Sequence, residues 1–464
     1  MSPSTRFAER NSLSTEDLFH YDAARFEQMC EDVLGHAASL GASDAAVEVS
    51  ESAGLSVNVR KQRVETIEQT RDKGLSVTVY LGQRRGNASS SDFSSASIAA
   101  TVKAAYDIAN HTAEDPCAGL PEPELLAPRD VPMLDLFHPW TIDAAQAISI
   151  ARRMERAALT TSPLITNSDG AHVSVSHGHF FAANSRGFRG GYPYSRHSLG
   201  CAPIAQRGSA MQRDAWYSSH RVPERLADAA AIGRYAAERA LSRLGARQVP
   251  TCKVPVLFEA PLACGLLGHL VQAASGGALY RKASFLVDAL GKALFPEHVD
   301  IEEDPHRPTE VGSSPFDDEG VLTHRRQVVS RGVLEGYFLS TYSARKLGMT
   351  TTGNAGGSHN LSLTSRLTRA GDDLEAMLRK LDRGLFVTDL MGHGINYVTG
   401  DYSRGASGYW VEKGRIVRPV EEVTIACSLP EMFRAIAAVG DDVIVRGNKR
   451  TGSVLLEQMS LAGS

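Results

Sequence analysis

The arrangement of apolar residues changes near Gln248, and this change constrains the fold more than any other feature of the chain. Before Gln248, stretches with apolar residues at helical spacing alternate with strand-like segments. After it, short strand-like segments follow one another, with glycine-dense turns at residues 353–357 and 392–408. The pattern predicts an α+β protein. An N-terminal α/β region with antiparallel sheets and long helices precedes a β-rich C-terminal domain, for which a barrel is one form that such strands take.

These patterns divide the chain into four parts. Residues 1–22 are polar and without periodicity, and we expect a mobile arm there. Residues 23–132 and 133–247 each combine long helices with strands, and each is expected to be an α/β unit. Residues 248–464 are expected to form the β-rich domain. A chain of 464 residues is longer than one hydrophobic core usually serves, which agrees with several domains.

Within the two α/β units, the predicted strands are short and are separated by turn residues. Helices are predicted at residues 23–40, 94–109, 142–159 and 224–244. Strands are predicted at residues 45–49, 55–60, 64–68, 75–81, 173–175, 178–182, 198–205 and 210–217. Turns are expected at residues 73–74, 184–187 and 190–191, because glycine and asparagine favour tight reversals of the chain.

Composition excludes several classes of protein. Hydrophobic residues make up 42% of the chain and charged residues 22%, and the net charge of -4 argues against a broad nucleic-acid surface. The six cysteines form no CxxC pair, so we expect buried, reduced thiols rather than a zinc knuckle or a disulfide framework. No long apolar run and no apolar core of signal-peptide type occurs, and we expect a cytoplasmic protein with no membrane partner.

Residues 261–282 near the middle of the chain predict a glycine-punctuated helix that leads into a glycine turn. Side chains three or four residues apart share one face of a helix, so this segment has the shape of a metal-binding helix. His269 is its only imidazole, and Gln272 follows three residues later. A catalytic zinc ion needs three protein ligands, and this segment does not supply them.

Two further histidines, His177 and His179, would lie on one face of a strand, because alternate residues project the same way. Two imidazoles do not complete a zinc site, and polar residues on a solvated strand face explain them better. Acidic clusters at residues 302–304, beside His306, and at residues 317–319 lack the ligand spacing of a calcium loop. We expect them to be charged loop tips.

The glycine-rich run at residues 352–359 lacks the Gly-Lys-Ser/Thr of a phosphate-binding loop. Glycine here is expected to let the backbone approach another segment closely, either a neighbouring part of the chain or an extended peptide. The chain contains no Gly-x-Ser-x-Gly elbow, so a serine hydrolase triad has no support from sequence.

Six runs carry a resemblance to a known family. In chain order they are MQRDAWY (211–217), GGALYRKASF (276–285), SPFDDEG (314–320), YSARKLG (342–348), TGNAGG (352–357) and VTGDYS (398–403). They are similar to the signature segments of the PmbA branch, also called TldE, of the TldD/PmbA metallopeptidase family. The similarity keeps its order from about residue 30 to about residue 460.

The resemblance implies an N-terminal α/β region, a β-rich C-terminal domain, cytoplasmic proteins that assemble in pairs, and proteolysis. In the TldD branch, a helix with the motif His-Glu-x-x-x-His holds zinc, a cysteine near the C-terminus adds a ligand, and the glutamate activates water. Laid over this chain, the two histidine positions fall on Gly268 and Ala273, and the glutamate position falls on His269. Cys427 lies upstream of the family's cysteine position, and no cysteine follows it.

The resemblance therefore implies a subunit without its own zinc or other cofactor, which pairs with a TldD-like, zinc-bearing catalytic subunit and helps to hold unfolded peptides. In this family, such pairs are linked to maturation of a peptide antibiotic, degradation of an antitoxin and DNA gyrase regulation. The alternatives are an independent hydrolase around His177, His179 or His393, and a peptide-binding scaffold that forms homodimers. The candidate cleft residues are His269, Gln272, Arg281, His393 and Asp401.

Overall fold

The computed structural model describes residues 18–463. Most of the arm predicted for residues 1–22 lies outside this range. The remainder of that segment packs on the first sheet, where Phe19 is buried and the backbone N–H groups of His20 and Tyr21 donate to the Glu51 carboxylate. No helix among the described residues is long and apolar enough to cross a membrane.

The N-terminal half is built on one seven-stranded antiparallel sheet with helices on one face. The strands lie in the order β3-β2-β1-β4-β5-β6, and β7 also pairs with β5. Their bounds are β1 Asp44–Arg60, β2 Arg63–Leu81, β3 Arg84–Ser90, β4 Ile165–Asn184, β5 Arg189–Arg207, β6 Ala210–Arg213 and β7 Trp216–His220. The helices are α1 Ala23–Ser39, α2 Ser95–His111, α3 Ala144–Leu159 and α4 Ala229–Ser242.

Strands β1, β2, β4 and β5 are longer than the sequence pattern predicts, and β3 was not predicted. The single strand predicted at residues 210–217 is wrong, because the chain leaves the sheet between β6 and β7. The predicted turn at residues 73–74 lies inside β2, and the predicted turn at residues 190–191 lies inside β5. A Cβ atom at Gly191 would lie 2.2 Å from the carbonyl oxygen of Phe180 on β4, so glycine serves close approach of two strands rather than a reversal. The predicted turn at residues 184–187 is confirmed, since the chain reverses there between β4 and β5.

The C-terminal half contains two further six-stranded sheets. The strands are β8 Cys252–Phe258, β9 Val299–Asp304, β10 Arg326–Ser330, β11 Val333–Leu334, β12 Asn360–Ser365, β13 Gly384–Met391, β14 Asp401–Glu412, β15 Arg415–Ser428, β16 Ile436–Val439, β17 Ile444–Arg446, β18 Lys449–Thr451 and β19 Val454–Ala462. The helices are α5 Ala260–Ala273, α6 Gly276–Tyr280, α7 Thr341–Leu347, α8 Leu374–Leu381 and α9 Leu429–Arg434. One sheet has the order β11-β10-β9-β12-β18-β17 and the other β15-β14-β13-β8-β19-β16.

The second of these sheets closes into a barrel. β15 pairs with β14 and also with β19, so β15, β14, β13, β8 and β19 form a closed ring of five strands. Closure pairs the backbone groups that an open edge would leave exposed. The predicted α+β class and the β-rich, barrel-like C-terminal domain are both confirmed.

Each half has its own apolar interior. One hydrophobic cluster lies between the first sheet and helices α1 and α2, and a second lies between the same sheet and helices α3 and α4. The largest cluster lies in the C-terminal half and includes apolar residues of α5 and of the barrel. All six cysteines are free thiols; Cys30, Cys201 and Cys264 are buried and the other three are partly exposed.

The start of helix α5 is tied to the N-terminal half through Arg239 of α4. The Arg239 guanidinium donates to Glu259, the residue before α5, at 2.5 Å and to Asp214 at 3.2 Å. All three side chains are at most 12% exposed. A buried, bidentate arginine holds its partners in one geometry, so this contact fixes where α5 begins relative to the first sheet.

Candidate functional site

Helix α5 begins after Glu259, with proline in its first turn, and ends at Ala273. The glycine turn that the sequence predicts after it is instead a second short helix, α6, whose N-cap Ser275 accepts the N–H of Ala278. A Cβ atom at Gly276 would lie 2.2 Å from the hydroxyl of Ser343, so this glycine lets α6 pack against α7. The prediction of a glycine turn is therefore wrong, because the glycine serves a close contact between helices.

Helix α5 has one buried face and one exposed face. Leu266, Leu267, Leu270 and Ala273 lie in the C-terminal core. On the opposite face, Gly265 and Gln272 are exposed, and Gly268 and His269 are partly exposed. Of the three motif positions, only those of Gly268 and His269 therefore reach the surface, while Ala273 is wholly buried.

The side chain of Lys449 on β18 packs beside Gly268. A Cβ atom at Gly268 would lie 3.7 Å from Cε of Lys449 and would meet no other atom within 4 Å. The Lys449 ammonium donates to Oδ1 of Asn448 at 2.9 Å, and burial lowers its pKa. Among the described residues, no carboxylate forms an ion pair with it. The position that a zinc-binding histidine occupies in the TldD motif therefore lies beside a lysine.

His269 forms part of a cluster with two tyrosines and an arginine. Its Nδ1 atom and Tyr397 Oη share a hydrogen bond of 3.0 Å, and its ring centroid lies 5.7 Å from that of Tyr402. Burial and, to a lesser extent, the charge of Arg404 lower the pKa of His269 to about 4. His269 is therefore a neutral imidazole at pH 7.

Tyr402 and Arg404 lie two residues apart at the start of β14, so their side chains project to the same side of the strand. The Nη2 group of Arg404 donates to the carbonyl oxygen of Leu390 at 3.3 Å, and its Nε is buried without a partner among the described residues. Burial raises the pKa of Tyr402 to about 12. The cluster is thus rich in hydrogen-bond donors, and its only charge is positive.

The other candidate residues do not join this cluster. Gln272 is exposed, and Arg281 is exposed with its guanidinium over the ring of Tyr280. His393 is exposed in the loop between β13 and β14, and the exposed Asp401 accepts a hydrogen bond from Thr399 at 2.5 Å. Within the described residues, no hydrogen bond links any of these four to His269.

Sequence reasoning missed three residues of this site, namely Tyr397, Arg404 and Lys449. Tyr397 and Arg404 flank the VTGDYS run, so proximity to that run was the available signal. Lys449 comes from a strand far along the chain, and its place beside Gly268 depends on the packing of α5 against β17 and β18. No local pattern marks such a contact.

The expectation of a solvated face for His177 and His179 is wrong. Both side chains are buried, at 5% and 6% exposure. His177 Nε2 accepts the backbone N–H of Trp140 at 3.1 Å, and the His179 ring stacks on Phe26 at 4.4 Å. The strand face that carries them is covered by α1 and by the segment before α3, which periodicity within one strand does not reveal.

The expectation of charged loop tips is also wrong for one residue of each acidic cluster, Glu303 in the first and Asp317 in the second. Glu303 lies on β9 at 1% exposure, where it pairs with Arg326 at 2.7 Å and accepts the N–H of His359 at 2.7 Å. Asp317 is buried and accepts the N–H of Val321 and of Ala355, each at 2.9 Å. These carboxylates hold the surrounding loops in place.

The glycine-rich run at residues 352–359 packs against the acidic segment. A Cβ atom at Gly356 would lie 2.4 Å from the Asp318 carboxylate, so glycine lets a neighbouring part of the chain approach closely. This run also lines a cavity of about 290 Å³, together with Tyr192, Tyr194 and Arg221 of the N-terminal half.

The residues around α5 do not fit a zinc ion. Glycine and alanine have no donor atoms, and the nearby charges of Lys449 and Arg404 repel a cation. Across residues 18–463, no group of three or more histidine, cysteine, aspartate or glutamate side chains is placed to hold a metal ion. The surroundings of α5 instead suit a neutral or anionic group.

Three domain profiles of one family match the chain. They are PmbA/TldA metallopeptidase domain 1 at residues 45–109, the central domain at residues 137–244 and the C-terminal domain at residues 251–463. Metalloprotease PmbA of Escherichia coli O157:H7 is 47% identical, over 91% of this chain and 93% of its own length. A Metalloprotease TldD homolog of Haemophilus influenzae is 27% identical, over 45% of each chain.

Solved structures share the fold over nearly the whole chain. A protein of Bacteroides thetaiotaomicron described as a candidate modulator of DNA gyrase superposes with a TM-score of 0.89 at 25% identity, covering 97% of this chain and all of its own. TldE from Thermococcus kodakarensis superposes with a TM-score of 0.83 at 19% identity, covering 94% of this chain and all of its own. The second likeness concerns the fold alone.

Proposed function

The chain belongs to the PmbA branch of the PmbA/TldD metallopeptidase family, and we propose that it is the zinc-free subunit of a two-chain peptidase that acts on unfolded peptides. In this proposal, a TldD-like partner holds the zinc ion and activates water. The present chain contributes a wall of the cleft that receives an extended peptide.

The observation that carries the proposal is the surface of α5. A metallopeptidase helix presents two imidazoles and a carboxylate to its zinc site. Here those positions hold Gly268, Ala273 and His269, and Lys449 lies over the first of them. Such a helix does not offer the ligands for a zinc-bound nucleophile, which supports assigning the zinc chemistry to another chain.

The proposed partner has support from the family itself. The TldD homolog of Haemophilus influenzae matches nearly half of this chain, which indicates a common ancestor of the two branches. Relatives that share a fold commonly assemble through equivalent surfaces, as two copies of one chain do in a symmetric dimer. A PmbA-type and a TldD-type chain are therefore suited to pair with each other.

A reconstitution experiment tests the proposal. The purified chain, the TldD-like protein of the same organism, and their mixture are each analysed for bound zinc and for cleavage of an unstructured peptide. We expect the present chain to bind no stoichiometric zinc and to cleave nothing alone, and the mixture to cleave. The matched control is a partner in which both histidines of its zinc motif are replaced by alanine.

Three outcomes would contradict the proposal. Zinc-dependent cleavage by the lone chain would place the chemistry on this subunit. Cleavage that survives chelation and is lost in His393→Ala would indicate an independent hydrolase. Stable self-association with no effect of the TldD-like protein on peptide binding would indicate a homodimeric scaffold.

A further inference from the structure

Two cations lie along the exposed face of α5 without a carboxylate partner among residues 18–463. Lys449 lies beside Gly268, and Arg404 lies beside His269. Arginine and lysine side chains that are half buried usually pair with an acidic group, because removing a lone charge from water costs free energy. Most other partly buried arginines of this chain do have such a partner, for example Arg239 with Glu259 and Arg326 with Glu303.

The arginine is held in place by groups that do not neutralise it. Its Nη2 donates to the backbone oxygen of Leu390 at 3.3 Å, and burial raises the pKa of Tyr402, two residues earlier on β14, so that its phenol is neutral. Its Nε has no partner among the described residues, and the adjacent imidazole of His269 is neutral. Arg404 is therefore a fixed donor whose positive charge is not balanced within the site.

The lysine is placed similarly on the other flank of the helix. Its ammonium donates to the neutral amide of Asn448, and its stem lies over Gly268, whose Cβ position has no other atom within 4 Å. Gly265, one turn earlier, has no other atom within 4 Å of its Cβ position. Glycine at these two partly or fully exposed positions leaves the helix surface beside Lys449 without side chains of its own.

A carboxylate is the ligand that these surroundings suit. It would supply the missing negative charge, and it accepts hydrogen bonds from a guanidinium, an ammonium or a phenol. We propose that the exposed face of α5, between Lys449 and Arg404, is a binding site for a carboxylate of a bound peptide. That the carboxylate belongs to a peptide rests on the proposed function, whereas the anion site itself does not.

The test follows the His269 ring in the full-length chain by NMR. The chain is labelled with ¹³C in its histidine rings, and the His269 signal is assigned from its loss in His269→Gln. Four probes are titrated at constant pH and ionic strength: acetate, a neutral peptide with a free C-terminus, the same peptide amidated, and an amidated peptide with one glutamate. We expect acetate and the free-acid peptide to shift the signal saturably and the neutral amidated peptide to leave it unchanged. The glutamate peptide distinguishes a side-chain carboxylate from a terminal one.

Two variants and one control locate the site. Arg404→Met and Lys449→Met retain the aliphatic stem and remove the charge, and we expect each to weaken acetate binding by about tenfold, the effect of losing one charge-assisted hydrogen bond. Arg25→Met is the control, because Arg25 is exposed on α1 in the N-terminal half. Circular dichroism and thermal unfolding establish that each variant is folded, and either variant alone suffices for the comparison.

The inference is overturned if acetate leaves His269 unaffected, if the amidated neutral peptide acts as the free acid does, or if neither Arg404→Met nor Lys449→Met weakens binding. The result is separate from that of the reconstitution experiment. Carboxylate binding without peptidase activity in the mixture would contradict only the proposed function. Activity in the mixture without carboxylate binding would contradict only this inference.

Discussion

At the scale of single residues, burial determines what the histidines of this chain can do. His177 lies at 5% exposure, its Nε2 accepts a backbone N–H, and burial lowers its pKa to about 4. Protonation would place a charge in the interior and would remove the acceptor that Trp140 needs. His177 is therefore a structural acceptor at neutral pH rather than a general base.

This assignment predicts how stability depends on pH. Because the pKa of His177 is lower in the folded state than its ordinary value of 6.5, the unfolded chain takes up a proton first as the pH falls. The stabilising contribution is fully present above about pH 6.5 and is lost towards pH 4, up to about 3 kcal/mol for this residue. We expect His177→Gln to reduce the fall in unfolding free energy between pH 7 and pH 4, as measured by urea denaturation.

His393→Gln is the matched control for this prediction, since His393 is exposed in a loop. Its denaturation curves are expected to follow those of the unchanged chain at each pH. Equal pH dependence of His177→Gln and the unchanged chain would show that His177 is not the source of the effect.

How far single residues could be predicted from sequence depends on whether their neighbours are local. The alternation rule correctly places His177 and His179 on the same side of one strand. It does not show that Phe26, about 150 residues earlier, covers His179. For the same reason, the sequence did not reveal the contact of Lys449 with Gly268, because the two residues are far apart in the chain.

At the scale of elements, glycine has different structural roles in helices α4 and α5. On α4, a Cβ atom at Gly233 would lie 2.0 Å from the backbone oxygen of Met154 on α3. On α5, Gly265 faces open space. The first glycine lets two helices pack closely, and the second only lowers the helix propensity of an exposed position.

Alanine substitutions should therefore change stability in opposite directions. Gly265→Ala is expected to raise the free energy of unfolding by about 0.5 to 1 kcal/mol, the difference in helix propensity between the two residues. Gly233→Ala should lower it by about 1 to 3 kcal/mol, because α3 and α4 have to separate to admit the methyl group. Urea denaturation of the two variants measures both effects.

Each variant is the matched control for the other, since both replace glycine by alanine inside a helix. Destabilisation by Gly265→Ala would mean that the exposed face of α5 is covered in the chain alone. Stabilisation by Gly233→Ala would mean that α3 and α4 do not pack as closely as the structure has them.

The sequence predicted helices well where the helical spacing of apolar residues extends over many residues. It predicted strands poorly where a glycine inside a strand resembles a turn. The helix predicted at residues 23–40 is found as α1 Ala23–Ser39, and the one at residues 142–159 as α3 Ala144–Leu159. Three strands of the first sheet, β1, β2 and β4, were each predicted as two fragments, because glycine and polar residues interrupt them. The face away from the helices carries polar side chains such as Glu48 and Ser50, and glycine lets neighbouring strands approach, so neither feature ends a strand.

At the scale of the whole molecule, the first sheet crosses the boundary that the sequence pattern suggests at residues 132–133. β1 of the first unit pairs with β4 of the second, from Ala46 opposite Asn184 to Val59 opposite Ala171. Val57 and Val59 of β1 also lie in the hydrophobic cluster beneath α3 and α4. Pairing between distant strands leaves no signature within either strand, so local patterns could not predict this shared sheet.

The shared sheet predicts which fragments fold. A fragment of residues 18–132 would expose the whole edge of β1 and the apolar residues that α3 covers, so we expect no cooperative unfolding transition from it. A fragment of residues 18–247 retains the complete sheet and is expected to unfold cooperatively. Residues 248–463 contain the closed barrel and the largest hydrophobic cluster, and serve as the positive control. Thermal unfolding followed by circular dichroism, with dispersion of the amide NMR signals, distinguishes the three. A cooperative transition from residues 18–132 would mean that the first unit is a domain in its own right and that β4 is added to an already stable sheet.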